Sequence, residues 1–260
     1  MKTVNSISGG KTSSYIAKHY PADYNVFALV RTEDKSCLFP DAKIRQEVSD
    51  RIGKEFIGTL EEDAIIYTML DLEQFIGSKI DWVTGNTFDE VVTRKNGKTQ
   101  LPTPMRRFCT VEMKIEPIFN FWKENIKEVV ETRIGFRANE TRRANTMIER
   151  CESTNGVMTY KTIVGKSKNG KRNKWSEIPY QIPRFPLIED NIYKDKIVEY
   201  WKDKPNKMNW FVETEKKAIQ SYKNNVWRSD TTYEKIGNSL SQIELFDTDF
   251  NDCDSGYCGI

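Results

Sequence analysis

The sequence predicts an α/β fold in which helices flank a parallel, twisted sheet. Short apolar segments that suit buried strands alternate with segments of helical periodicity along the first third of the chain. A glycine-rich turn follows the first of these strands directly. Because ligands bind at the carboxyl ends of the strands in parallel sheets, this turn is the first place where a functional site is expected.

The predicted elements follow one another in βαβ order. Strands are expected at residues 4–7, 26–30 and 55–57, because each segment is short and mostly apolar. A helix is expected over residues 40–52, with proline at its start and isoleucine and valine side chains on one face. A second helix is expected through residues 65–70. This order of elements favours a parallel sheet covered by helices.

Two β-hairpins are expected to interrupt this order. The first is predicted near residues 91–101 and the second over residues 157–178, and each turns at an Asn-Gly dipeptide. We therefore expect an α/β domain over residues 1–187 that contains both hairpins as insertions. A helical C-terminal region with a cysteine-containing tail is expected over residues 188–260.

The second predicted hairpin is strongly basic. Six lysine or arginine residues lie in one segment that contains no acidic residue, and Tyr160 and Trp175 stand at its two ends. This composition fits a solvated ribbon, and it also fits a surface for an anionic polymer such as a nucleic acid. The basic residues are Lys161, Lys166, Lys168, Lys171, Arg172 and Lys174.

Composition restricts the class of protein. The chain has 260 residues and a formal net charge of +2, which does not by itself indicate a nucleic-acid partner. It contains no long apolar run and no signal-peptide pattern, so we expect a cytoplasmic protein without a membrane span. Five widely spaced cysteines do not resemble a secreted disulfide framework. The single histidine, His19, argues against a Ser-His-Asp triad and against a histidine zinc site.

The turn after the first strand has the sequence SGGKTS over residues 8–13. Glycines permit a tight turn close to a ligand, and the amides of a new helix, the hydroxyls and Lys11 can face an anion. A Walker A loop would need a glycine at the position of Asn5, so that motif does not fit. A phosphate-binding turn of another type is expected, and the alternative is a strand-to-helix turn without a ligand.

This turn resembles the S-G-G-x-[DT]-S pyrophosphate loop of the adenine nucleotide alpha-hydrolase superfamily, which includes ATP pyrophosphatases, tRNA thiolases and phosphoadenylyl-sulfate (PAPS) reductases. The resemblance implies a Rossmann-like fold and an adenine nucleotide as ligand: PAPS, adenylyl sulfate, or ATP with Mg²⁺. At the end of the second strand, Thr32 stands in a turn that approaches the adenosine in these proteins, although Arg31 departs from the family pattern. The phosphate-binding residues implied for the loop are Ser8, Gly9, Gly10, Lys11, Thr12 and Ser13.

Two further segments resemble PAPS reductase-like proteins. Residues 106–117 resemble R-x-C-T-x-x-x-K-x-x-P, and residues 133–143 resemble G-x-R-x-x-E-[ST]-x-R. Arginine forks suit phosphate or sulfate oxygens, and positive surroundings favour the thiolate form of a cysteine. The alternatives are a small buried cysteine and ordinary ion pairs. The site residues implied are Arg106, Arg107, Cys109 and Lys114 in the first segment and Gly135, Arg137, Glu140, Arg142 and Arg143 in the second.

The C-terminus contains two thiols, Cys253 and Cys258, in a glycine-containing tail. Residues 257–260, YCGI, resemble the E-C-G-[LI]-H tail of assimilatory PAPS reductases, without its histidine and with Tyr257 in place of Glu. In that family the tail cysteine attacks the sulfonyl sulfur, and a thioredoxin-like thiol resolves the S-sulfocysteine. The resemblance implies that Cys258 is the nucleophile, and Cys253 could resolve it as an intramolecular disulfide. An inert tail is the alternative.

Metal binding is a competing use of the cysteines. Cys109, Cys151, Cys253 and Cys258 could together ligate an iron-sulfur cluster or a zinc ion, since both accept thiolate ligands. The sequence contains no C-x-x-C pair, unlike the usual ligand runs of such centres.

Three functions follow from these patterns. The first is a PAPS reductase-like enzyme that reduces a sulfonucleotide through Cys258, with a thioredoxin-like reductant. The second keeps the fold but cleaves ATP to adenylate a nucleic acid destined for sulfur transfer, with the basic hairpin holding the polymer. The third is a non-catalytic nucleotide-binding protein. In the threonine of its loop and in its short tail, the sequence resembles PAPS reductase-like proteins from phages or mobile elements.

Overall fold

The computed structural model describes residues 1–93, 99–103, 106–166 and 172–203. The strands are β1 (Thr3–Ile7), β2 (Tyr24–Ala28), β3 (Arg31–Thr32), β4 (Gly58–Thr59), β5 (Ile80–Val83), β6 (Val130–Arg133), β7 (Met158–Lys166) and β8 (Asn173–Arg184). The helices are α1 (Lys11–His19), α2 (Ala42–Ile52), α3 (Asp63–Ile76), α4 (Phe88–Val92), α5 (Phe108–Thr110), α6 (Glu116–Asn125), α7 (Thr141–Cys151), α8 (Pro186–Glu189) and α9 (Lys194–Asp203). Among them, no helix has the length and apolar character needed to cross a membrane.

The main sheet confirms the predicted α/β class and is compatible with a Rossmann-like fold. Its strand order is β5-β2-β1-β6-β8-β7. Neighbouring strands are parallel from β5 to β8, and β7 pairs antiparallel with β8 at the edge. The strands that follow β1 in the chain lie first on one side of it and then, from β6 onward, on the other. β1 is therefore the topological switch point, where such sheets leave a crevice for a ligand.

Helices cover both faces of this sheet. Because side chains alternate along a strand, Val4 and Val26 pack with α6 and α7, whereas Ile7 and Phe27 pack with α2 and α3. Phe27 is almost completely buried, and such burial contributes about 1.5–3 kcal/mol relative to an exposed side chain. The central strands β1 and β2 are thus buried on both faces of the sheet.

The predicted strand at residues 91–94 is wrong, because α4 occupies its first two positions. Thr87 accepts a hydrogen bond from the Glu90 amide, and the Glu90 carboxylate accepts one from the Thr87 amide at 2.7 Å. This capping box starts a helix in spite of the β-branched residues that follow. An antiparallel bridge still joins Thr93 to Thr99, and the predicted turn between them lies outside the described residues.

Two other predicted boundaries are displaced. The strand expected at residues 55–57 is found as β4, which pairs antiparallel with β3 in a separate small sheet. A Cβ at Gly58 would lie only 1.7 Å from the Cys37 carbonyl oxygen, so the close approach of these segments requires glycine there. The helix expected from residue 40 begins at Ala42, because the Asp41 carboxylate caps its first amides.

The second predicted hairpin is present as the antiparallel pair of β7 and β8. β8 is longer than its partner and continues into the main sheet, where residues 181–184 pair parallel with β6. The ribbon is therefore continuous with the sheet. Its predicted turn at residues 169–170 lies outside the described residues.

Candidate functional site

The SGGKTS turn connects β1 to α1 at the switch point of the sheet. Gly9 has a φ of +79°, and a Cβ there would lie 2.6 Å from Cγ2 of Ile65, so the turn requires glycine. The buried Ser13 hydroxyl accepts a hydrogen bond from the Ser8 amide at 3.1 Å and donates one to the Gly10 carbonyl at 3.0 Å. Ser13 therefore fixes the shape of the turn from the inside.

The start of α1 presents polar groups toward a ligand. Gly10 is the N-cap residue and supplies no side-chain acceptor for the first-turn amides of this nine-residue helix. The Ser8 side chain is exposed, and Lys11 and Thr12 are partly exposed. Amide donors, the helix dipole and hydroxyls together favour an anion. This geometry is suited to phosphate oxygens.

β6 brings a second predicted segment to the same place. Gly135 follows β6 and packs on the start of α1, where a Cβ would lie 3.4 Å from Cγ2 of Thr12 and 3.8 Å from the Ser13 amide nitrogen. A methyl group at this position would thus make ordinary van der Waals contact with the start of α1. The segment that begins at Arg133 therefore lies beside the SGGKTS turn, as the parallel pairing of β1 and β6 requires.

A carboxylate orients two guanidiniums in this segment. Arg137 donates to Oε2 of Glu140 through Nε and through its amide, each at 2.9 Å, and Arg143 donates to Oε1. Burial opposes ionisation of Glu140, but the hydrogen bonds and charges of Arg137 and Arg143 outweigh it and lower its pKa. The Arg143 guanidinium lies 4.3 Å from the centre of the Phe136 ring. Arg142 is exposed on α7.

The turn after β2 has a different construction, because buried side chains fill it. Arg31 donates to Oγ1 of Thr84 at 2.9 Å, to the Glu55 carbonyl at 3.0 Å and to the Gly85 carbonyl at 3.1 Å. Its side chain is buried, and this burial lowers the pKa of the guanidinium. Arg31, which departs from the family pattern, is thus a crosslink between three segments of the protein.

Thr32 also turns inward. Its hydroxyl donates to Oδ2 of Asp89 at 2.8 Å, and the same oxygen accepts the Glu33 amide at 2.7 Å. These bonds, from Glu33 first and then from Thr32, lower the pKa of Asp89. The sequence did not indicate this role of Asp89, because Thr32 is 57 residues away from the helix start in which Asp89 lies.

The arginine-cysteine segment lies against the loop after β5. A Cβ at Gly85 would lie 2.2 Å from the Glu112 carbonyl oxygen, in the π-helical turn Val111–Ile115 that joins α5 to α6. Lys114 of this turn pairs with Glu61 at 2.7 Å. The segment therefore packs at the same edge of the sheet as the other candidate residues. Arg106 is exposed and Arg107 is partly exposed.

The cysteines occupy different surroundings. Cys109 packs against Met113 in a small apolar cluster, and Cys151 is buried on α7, where burial raises the pKa of its thiol. Cys253 and Cys258 lie outside the described residues. Within the part of the chain that the structure describes, no three His, Cys, Asp or Glu side chains converge on a metal position.

The helix α9 braces the start of α1. Trp201 donates its indole N–H to the Lys11 carbonyl at 2.9 Å. His19 packs in an aromatic cluster, with ring-centre distances of 4.2 Å to Tyr15 and 4.6 Å to Tyr200. Sequence reasoning missed this support, because no local pattern connects two residues that are 190 positions apart.

Comparisons with protein-family models, with characterised proteins and with solved structures give no match. The turn after β1 offers amides and hydroxyls, and the neighbouring segment offers guanidiniums fixed by Glu140. Several anionic oxygens of one ligand can be bound by such an arrangement.

Proposed function

We propose that this protein is a PAPS reductase-like enzyme, which binds a sulfonucleotide in the crevice between β1 and β6 and reduces it with a tail cysteine. The observation that carries the proposal is the place of the SGGKTS turn at the switch point, next to Gly135 of the second motif. Two motifs that are far apart in the sequence thus meet where doubly wound sheets bind nucleotides.

The residues of the turn and of the neighbouring segment have separate roles in this proposal. The amides at the start of α1, with the Thr12 hydroxyl, hold phosphate oxygens. Arg137 and Arg143 balance the charge of the nucleotide, and Glu140 keeps them in place. Such fixed charges stabilise the adenosine phosphate as it departs, because the leaving group gains negative charge in the transition state.

The chemistry is a pair of thiol substitutions. The Cys258 thiolate attacks the sulfonyl sulfur, the bond from sulfur to the nucleotide phosphate oxygen breaks, and its electron pair leaves with adenosine bisphosphate. A second thiolate, from Cys253 or from a thioredoxin-like protein, then attacks Sγ of Cys258 and forms a disulfide. Sulfite leaves with the electron pair of the broken sulfur-sulfur bond, and an external dithiol reduces the disulfide.

The test is sulfite release from PAPS or adenylyl sulfate in the presence of a dithiol. We expect the wild-type protein to release sulfite from one of the two substrates and Cys258→Ser to release none. Cys37→Ser is the matched control, because Cys37 lies in a separate 3-10 turn and should leave the rate unchanged. No sulfite from either substrate would overturn the proposal.

Two other products distinguish the alternatives. Pyrophosphate release from ATP, stimulated by DNA or tRNA and lost in Lys11→Ala, would indicate an adenylating enzyme and not a reductase. Nucleotide binding measured by calorimetry, with neither sulfite nor pyrophosphate formed, would indicate a non-catalytic nucleotide-binding protein. Either result would contradict the proposed reductase activity.

A further inference from the structure

The outer half of the β7–β8 ribbon is exposed on the protein surface. We call this part, residues 161–166 and 173–177, the ribbon tip. None of its side chains is buried, whereas Met158 and Tyr180 at the base of the ribbon are buried in the core. The ribbon tip therefore contributes little to the hydrophobic core, and packing in the core does not determine its residue types.

An apolar pair stands on one face of the ribbon tip. The strand register places Ile163 opposite Trp175, so that both side chains point to the same side, and they are 44% and 55% exposed. The next pair along this face is Lys161 opposite Glu177. The exposed tryptophan therefore presents a flat apolar surface next to a cross-strand pair of opposite charges.

Positive charge is concentrated in this part of the protein. The chain as a whole has a net charge of only +2, yet the segment from Lys161 to Lys174 contains six basic residues and no acidic one. Of these, Lys161, Lys166 and Lys174 lie in the described strands and are exposed. Glu177, the one acidic residue of those two strands, stands opposite Lys161, so the ribbon tip carries three lysines against one carboxylate.

We propose that the ribbon tip binds single-stranded nucleic acid. Lysines attract the phosphate backbone, and the face of Trp175 offers a stacking position for an unpaired base. A duplex would match the charge, but its bases are already stacked on one another and leave no free face for Trp175. The proposal concerns the ribbon alone and does not depend on the reaction at the nucleotide site.

The test is fluorescence anisotropy with a labelled single-stranded oligonucleotide of about 12 nucleotides, a length in the range that single-strand binding surfaces cover. Trp175→Ala should weaken binding at least about fivefold, which is the lower end of the effect of losing one stacked base. Lys166→Ala, which changes a lysine on the same face as Trp175, should lower the slope of log K against log salt concentration by about 0.7.

Matched controls lie outside the ribbon. Tyr193→Ala removes an aromatic side chain of similar exposure, and Lys43→Ala removes an exposed lysine on α2, so both should leave affinity and salt slope unchanged. Circular dichroism of each variant checks that it remains folded. Absence of binding, unchanged affinity in Trp175→Ala, or an equal loss in the controls would overturn the proposal. We expect these variants to release sulfite at the wild-type rate. The experiment can therefore contradict nucleic-acid binding without contradicting the proposed reductase activity.

Discussion

Two turns at the same edge of the sheet have opposite constructions. The turn after β1 is shaped by glycines and one internal hydroxyl, and its Ser8 side chain is exposed. The turn after β2 is filled by the buried Arg31 and Thr32, whose side chains together donate four hydrogen bonds to protein acceptors. The first turn keeps polar groups available for a ligand, and the second uses them to hold the protein together.

The largest expected effect is at Gly9. Gly9→Ala places a Cβ in a left-handed conformation and against Ile65, so we expect the free energy of unfolding to fall by about 2–5 kcal/mol. Phosphate affinity of the turn should fall as well, because the backbone must move. Urea unfolding and calorimetry with the nucleotide measure the two effects.

A substitution at Gly53 separates the cost of backbone strain from the cost of the steric clash with Ile65. Gly53 also has a positive φ, of +64°, but no atom lies within 4 Å of the place of its Cβ. Gly53→Ala should therefore show only the conformational cost, about 1–2 kcal/mol, with nucleotide affinity unchanged. The double variant Gly9→Ala with Ile65→Ala should recover the collision part. Equal losses in the two single variants would show that the Ile65 contact is unimportant.

Substitutions of Arg31 test the construction of the turn after β2. Arg31→Met removes three charge-assisted hydrogen bonds and keeps most of the buried volume, so we expect a loss of about 2–3 kcal/mol in the free energy of unfolding. Arg31→Lys should recover little of it, because one ammonium group cannot reach acceptors spread over a planar fork. If Arg31→Met instead abolished nucleotide binding without loss of stability, the contrast between the two turns would be wrong.

The features that the sequence could predict are those formed by residues adjacent in the chain. The SGGKTS turn was predictable because its strand, glycines and helix start are adjacent. The Arg31 crosslink was not, because its acceptors at Glu55 and Thr84 are 24 and 53 residues away. The helix at Phe88–Val92 was missed because a local capping box outweighed the β-branched residues. The fold class therefore followed from periodicity, whereas the supports of the site depended on distant contacts.

The smallest effect is expected at Glu140, which accepts hydrogen bonds from Arg137 and Arg143. The pKa of Glu140 in the folded protein is lower than its ordinary value of 4.5, so the folded state favours the charged carboxylate. Its contribution to stability is complete above about pH 4.5 and is lost as the pH falls through the folded-state value. Glu140→Gln should therefore lower the free energy of unfolding by about 1 kcal/mol at pH 7.

The pH dependence of this difference is the decisive measurement. In acid the wild-type carboxyl is protonated and resembles the amide of Glu140→Gln, so the two unfolding curves should converge as the pH falls below 4.5. Glu131→Gln is the matched control, because Glu131 faces Arg184 at 3.3 Å and no candidate residue of the turn. A stability difference that is the same at pH 7 and in acid would show that Glu140 acts through packing, and the guanidiniums beside the turn would then be oriented by other contacts.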